Sequence, residues 1–206
     1  MKGKVMILIR LLMTVSFLAA GCARTVPATQ PARMEPAISV ALREANEYFT
    51  YKGSPIHPGL VKEFEGRMSD DGPIVLTVDV LGSHGVDEYG APFKIMGEKV
   101  SFINRNATPT EWYQYERLGT LANGIHVLHT SFNGGGSGIF QNLLFVRFDV
   151  QPARSFHDPA GERLVMSIVD WYPLGDRDNG KIQIMDDTVM VGPSRYRSNS
   201  ILLRKK

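Results

Sequence analysis

From residue 74 onward the chain is a succession of short segments in which apolar and polar residues alternate, punctuated by turn-forming residues. Ile74, Leu76, Val78 and Val80 alternate with Val75, Thr77 and Asp79, the period-2 pattern of a strand with one buried face. Comparable runs lie at 93–96, 98–103, 112–118, 125–132, 139–150, 162–171, 181–185, 188–192 and 200–204. Most joins are turn-like. Asn123-Gly124 precedes Ile125, Gly134 to Gly138 precede Ile139, Asn179-Gly180 precedes Lys181, and Asp186-Asp187 separates two β-branched runs. A parallel sheet would need long helical crossovers between such strands. The pattern therefore predicts a mainly β protein, an antiparallel β-sandwich, jelly-roll-like fold or barrel.

The run 139–150 is the strongest core candidate. Leu144, Val146, Phe148 and Val150 share one face and Leu143 and Phe145 the other, which predicts a central strand, while Arg147 and Asp149 predict that burial fades toward its end. Residues 162–171 read similarly, with Leu164, Met166 and Ile168 opposing Val165, Val169 and Trp171. Upstream, Ile38, Leu42, Ala45 and Phe49 recur at helical spacing, predicting an N-terminal amphipathic helix over 37–50 that covers a sheet edge or open end. The Pro- and Gly-rich stretch 51–59 reads as a structured loop, followed by a short helix through Leu60, Phe64 and Met68.

The N-terminus has a different character. Lys2, Lys4 and Arg10 form a basic region, and the ten residues Leu11–Ala20 are largely apolar and end in small residues, the order of an export signal. A membrane-spanning helix needs roughly 20 apolar residues, so this stretch is too short for one. Leu18-Ala19-Ala20-Gly21-Cys22 resembles the lipobox of bacterial lipoproteins, with the branched aliphatic residue one place earlier than the family pattern has it. The resemblance implies diacylglycerol on the Cys22 thiol, removal of residues 1–21, acylation of the new amino terminus, and hence a membrane anchor. Ala23, where an aspartate would imply inner-membrane retention, leans the expectation toward the outer membrane. Residues 22–36, with Pro27, Pro31 and Pro36, then form a linker, and 37–206 a single β-rich domain.

Composition narrows the function classes. The export segment holds three of the 23 basic residues and none of the 21 acidic ones, leaving the remainder at a net charge of about −1 and giving no electrostatic case for nucleic acid. Cys22 is the one cysteine, so a disulfide within the chain, and a cysteine nucleophile in the domain, are excluded.

No motif assigns catalytic, cofactor-binding or metal residues. Gly134 to Gly138 lacks the Lys-Ser/Thr pair and helix of a phosphate loop and reads as a hairpin or bulge. Among the histidines, His57, His84, His126, His129 and His157, the pair His126 and His129 would face opposite ways on a strand and could not share one metal. Asp176 to Gly180 falls short of a calcium loop. Asp79, Asp87, Glu88, Glu111 and Glu116 are dispersed carboxylates that could converge for hydrolysis. Trp112, Tyr113 and Tyr115 are the candidate ligand patch, with Tyr113 and Tyr115 on one face and Trp112 on the other; Trp171-Tyr172 forms a second aromatic pair. The expectation is an envelope lipoprotein that binds or scaffolds a glycan or protein partner. The alternative is an envelope hydrolase acting on glycan or ester bonds through dispersed Asp, Glu and His residues.

Overall fold

The computed structural model describes residues 36–66, 68–69, 72–83, 92–104, 110–153 and 161–204. The export segment, Cys22, the linker up to residue 35, His84, Asp87, Glu88 and His157 lie outside the described residues.

Helix α1 (Ala37–Tyr48) ends at Phe49, whose φ of 57° is left-handed and whose N–H donates to the Ala45 carbonyl at 3.0 Å. The chain turns directly into a small hairpin, β1 (Thr50–Tyr51) and β2 (Ser54–Pro55). Lys52 and Gly53 both have positive φ, as a type I′ turn demands. The Glu44 carboxylate ties this hairpin to α1 by accepting from the Thr50 hydroxyl and from the backbone N–H groups of Lys52 and Gly53. The stretch read as a loop is thus partly a stapled hairpin. Helix α2 (Pro58–Gly66) starts at proline, which suits a first turn. A two-residue ladder of β3 (Met68–Ser69) and β4 (Gly72–Pro73) follows.

The alternation over 74–80 is only partly used for pairing. Strand β5 covers Thr77–Asp79, and the short helix α3 (Val80–Ser83) begins at once, its turn tied by Gly82 N–H donating to Asp79 Oδ1 at 2.8 Å. Ile74 and Leu76 are left 60% and 62% exposed. Next come β6 (Phe93–Met96), β7 (Lys99–Asn104), β8 (Glu111–Thr120), β9 (His126–Asn133), β10 (Phe140–Pro152) and β11 (Glu162–Asp176). These six form an antiparallel meander, and β5 joins the outer side of β11, giving the seven-stranded order β5-β11-β10-β9-β8-β7-β6. A separate antiparallel sheet consists of β12 (Ile182–Met185), β13 (Thr188–Val191) and β14 (Ile201–Arg204). The architecture is mainly β and antiparallel, as the alternation predicts: a curled sheet packed against a smaller one.

Both faces of the long sheet are apolar and both are covered. On one face Tyr113, Tyr115, Leu128, Leu144, Val146, Phe148, Leu164 and Met166 form a core with Ala41 and Ala45 of α1 and Leu60, Val61 and Phe64 of α2. On the other, Val127, Leu143, Phe145 and Leu174 pack with Val189 and Val191 of the small sheet. Helix α1 therefore lies across the face of β10 and β11 rather than over the sheet edge or open end expected, because its buried alanines let it approach the sheet closely.

Phe49 fixes that approach. Its ring meets Tyr115, His126 and Phe148 edge-on, with centroids 5.6, 5.4 and 5.3 Å away, and is 2% exposed. These contacts hold a non-glycine residue in a backbone region that ordinarily costs of order 1 kcal/mol or more. Phe49→Ala should destabilise the fold by about 3–5 kcal/mol in urea unfolding, the usual cost of emptying a fully buried phenylalanine site; a loss under about 1 kcal/mol would show that α1 is seated by other contacts.

Candidate functional site

Val61 and Glu65 are four residues apart on α2 and share the side that meets the sheet. The Glu65 carboxyl enters the first core, where Oε1 accepts from the Thr130 hydroxyl at 2.7 Å and from the Asn142 side-chain amide. Thr130 and Asn142 are cross-strand partners on β9 and β10, so one carboxyl oxygen links α2 to both strands. Glu65 as a residue is half-buried, but Oε2 is shut off from solvent. Burial raises its pKa, opposed in turn by Tyr113, Thr130 and Asn142. The Tyr113 phenol lies near enough to influence this carboxyl, yet the pair falls short of hydrogen-bond geometry, leaving Tyr113 OH and Glu65 Oε2 each without a partner. A proton on Oε2 would let the acid donate toward the phenol oxygen, which agrees with the direction of the shift. Lys62, one turn back, pairs with Glu111 Oε2 at 3.0 Å and lies 5.2 Å from the Phe132 ring centre.

Tyr113 and Tyr115 do share a face as the alternation predicts, but that face is inside: they are 0% and 2% exposed. The exposed aromatic platform is corrected accordingly, because α2 and the loop before it cover these rings. Tyr115 OH donates to the Ile56 carbonyl at 2.6 Å and pins that loop. Trp112 is half-buried and registers with Ile103 and Asn133.

The histidines divide as their spacing predicts. His126 registers with Val146 on the first face and His129 with Leu143 on the second. Arg117 Nη2 donates to Thr120 Oγ1 at 2.8 Å, and that oxygen lies 3.1 Å from His126 Nδ1. The network assigns the Thr120 hydroxyl as donor to Nδ1, so the imidazole proton sits on Nε2, which has no partner. His126 is fully buried; burial first, and the Arg117 charge second, push its pKa down to about 4. Burial also lowers that of His129, against the opposing pull of Glu116. His57 accepts from Gly59 N–H at 3.0 Å and packs edge-on against Phe93 and Phe102.

The other sequence features are structural. Gly134 to Gly138 forms the β9–β10 connection, organised by Asn133, whose Nδ2 donates to the Gly136 and Gly138 carbonyls while Oδ1 accepts from Gly135 N–H. Asp178, 9% exposed, makes an ion pair with Arg197 at 3.2 Å, and its Oδ1 accepts from Gly180 N–H. Among the described residues no three His, Cys, Asp or Glu side chains are grouped to hold a metal ion, and no helix is long and apolar enough to cross a membrane.

An open feature lies just before β5 begins. Gly72, Pro73, Leu76, Ile168, Val169, Asp170 and Trp171 line a groove of about 360 Å³. Ile168 N–H donates to the Leu76 carbonyl at 3.0 Å, while β11 continues past that point. Trp171, which lines the groove, also packs against the first core, and its indole Nε1 is closed from solvent and has no partner. Compared with protein-family models, curated proteins and solved structures, the chain matches none.

The two buried titrating groups of the first face act on stability in opposite directions. His126 is harder to protonate folded than unfolded, so stability present above pH 6.5 is lost as pH falls toward 4, by about 3 kcal/mol at full effect. Glu65 holds its proton more tightly when folded, so its contribution is greatest below pH 4.5 and is lost as pH rises through the raised folded value. In urea unfolding across this range, His126→Gln should flatten the acid limb and Glu65→Gln should remove the decline on the neutral side. Unchanged slopes in both variants would contradict these burials.

Proposed function

We propose that this chain is an exported cell-envelope protein, held to the membrane by lipid on Cys22, whose β-rich domain binds an envelope component and performs no chemistry of its own. The observation that carries the binding half is the separation of reactive from accessible groups. Glu65 and His126, whose ionisation burial perturbs, place their unpartnered atoms in the closed interior. Among the described residues, the open groove offers mainly apolar side chains and one carboxylate.

The hydrolytic alternative has less support. Strong perturbation in a cleft is what marks an acid/base pair. Here Asp79 ties the α3 turn, Glu111 pairs with Lys62, and Glu116 lies 4.0 Å from Lys99. The anchoring half is supported by the basic and apolar order of residues 1–21 and the placement of Cys22 behind it.

Membrane fractionation combined with mass analysis of the mature N-terminal peptide tests the anchor. The wild-type chain should sediment with membranes and carry acyl mass on Cys22, and Cys22→Ala should lose that mass. Wild-type protein recovered soluble with an unmodified Cys22 would refute the anchor.

A further inference from the structure

We propose that the outward face of the small sheet, β12 to β14, rests on an anionic lipid surface; that such a surface lies within reach rests on the lipid-anchor reading above. Charge, strand register and exposed side chains carry the inference.

Charge is divided unevenly along the chain. Residues 181–206 hold six basic side chains and two acidic ones, a net charge of about +4, while residues 22–180 hold fourteen and nineteen, about −5. A chain that is nearly neutral after its export segment is therefore polarised, with its positive part in the last sheet.

Register places much of that charge on one face. Ile182, Ile184, Val189, Val191 and Leu203 pack with the second core, so their neighbours along each strand turn the other way. Pairing sets Gln183, Met190 and Leu202 in one cross-strand row and Met185, Thr188 and Arg204 in the next. Gly192 N–H donates to the Lys181 carbonyl at 2.8 Å, which brings Lys181 to the other end of this face. None of these positions is acidic. Asp186 and Asp187 stand in the β12–β13 turn, where Asp187 accepts from the Thr188 hydroxyl at 3.1 Å. Arg195 lies in the β13–β14 connection, its guanidinium 5.6 Å from the Tyr196 ring centre. Lys181, Arg195 and Arg204 enter no ion pair among the described residues, and Lys205 and Lys206 follow Arg204 in the sequence.

Apolar side chains stand among these cations. Met185, Leu202 and Tyr196 are 46%, 59% and 60% exposed. That mixture selects the occupant. A soluble polyanion would pair with the cations and leave Met185 and Leu202 in water. A second copy would bring two positive faces together. A headgroup layer suits both kinds of side chain, because its phosphates attract Lys and Arg while Met, Leu and Tyr enter the boundary with the acyl chains. The linker allows the contact. Helix α1 covers the opposite face of the long sheet, so the anchored chain must pass around it. Residues 22–36 reach at most about 50 Å when extended, against layers about 10 Å apart.

The test sediments the unlipidated Cys22→Ala chain with vesicles of phosphatidylcholine alone or of phosphatidylcholine mixed with phosphatidylglycerol. Binding to the mixed vesicles should be at least tenfold tighter than to phosphatidylcholine and should weaken as salt is raised. Lys181→Glu with Arg204→Glu should lower it at least tenfold, and Met185→Ser with Leu202→Ser at least threefold. All four side chains are exposed, so both double variants should keep their unfolding midpoints, which circular dichroism melts check. Each pair tests the face separately should the other fail to fold. No binding to either vesicle, equal binding to both, or binding indifferent to a correctly folded pair would overturn the inference. So would a wild-type dimer that Met185→Ser with Leu202→Ser dissolves, which would assign the face to a second copy. Vesicle binding by this chain, with wild-type protein found unmodified at Cys22, would leave the face standing and remove only the anchor; an acylated wild type whose Cys22→Ala form ignores anionic vesicles would do the reverse.

Discussion

A strand that is apolar on both faces cannot face water on either, and β10 is such a strand. Leu144, Val146 and Phe148 enter one core and Leu143 and Phe145 the other. Its neighbour β9 repeats the condition with Leu128 and Val127. Two covers are therefore required, and the chain supplies them from opposite ends: α1 and α2 from before the meander, β12 to β14 from after it. The N-terminal cover is seated by the Phe49 ring and the Glu44 staple. The C-terminal cover relies on Ile182, Ile184, Val189, Val191 and Leu203, with the ion pair of half-buried Arg197 and buried Asp178 fixing the loops beside it. Gly180 permits that closeness, since a Cβ there would lie 2.6 Å from the Gly192 carbonyl oxygen and 2.7 Å from Arg197 Nη2.

Covering the first face brings polar groups inside. Glu65 reaches in from α2, and the sheet meets it with Thr130 and Asn142, so hydrogen bonds offset part of the carboxyl's desolvation. His126 is met by Thr120 on one nitrogen and by the rings of Phe49 and Phe148 elsewhere. Strong perturbation of ionisation, often a guide to reactive sites, here follows from how helices are docked on a sheet. The groove arises from a different circumstance. Strand β11 outlasts its edge partner β5, and the segment that stops pairing keeps Leu76 beside Trp171.

The strands were legible because each β segment from Phe93 onward carries a local period-2 pattern and a turn signal. The 140–152 strand is the plainest case, down to Arg147 and Asp149, which pair with each other at 3.2 Å near its end. Legibility failed where the deciding partner is remote. Tyr113 and Tyr115 look the same in sequence whether their face meets water or α2, and the cover comes from about fifty residues earlier. Nothing in the sequence singles out Glu65 on a helix whose apolar positions include Leu60, Val61 and Phe64; only the docked sheet shows its carboxyl to be inside. The alternation at 74–80 is only partly paired, since α3 begins at Val80, and of its two exposed residues, Ile74 and Leu76, the second lines the groove. Its lining residues come from two segments some ninety positions apart, which no local pattern joins.

Native-state hydrogen exchange on the unlipidated chain tests most directly the requirement for two covers. If neither face of β9 and β10 can be left bare, the slowest amides of α1 and of β13 should open with the same free energy and the same denaturant dependence as those of β10, because uncovering either face unfolds the sheet. Exchange of β12 to β14 through a smaller opening, with β10 still fully protected, would contradict this and make the small sheet an appendage rather than half of the fold's support.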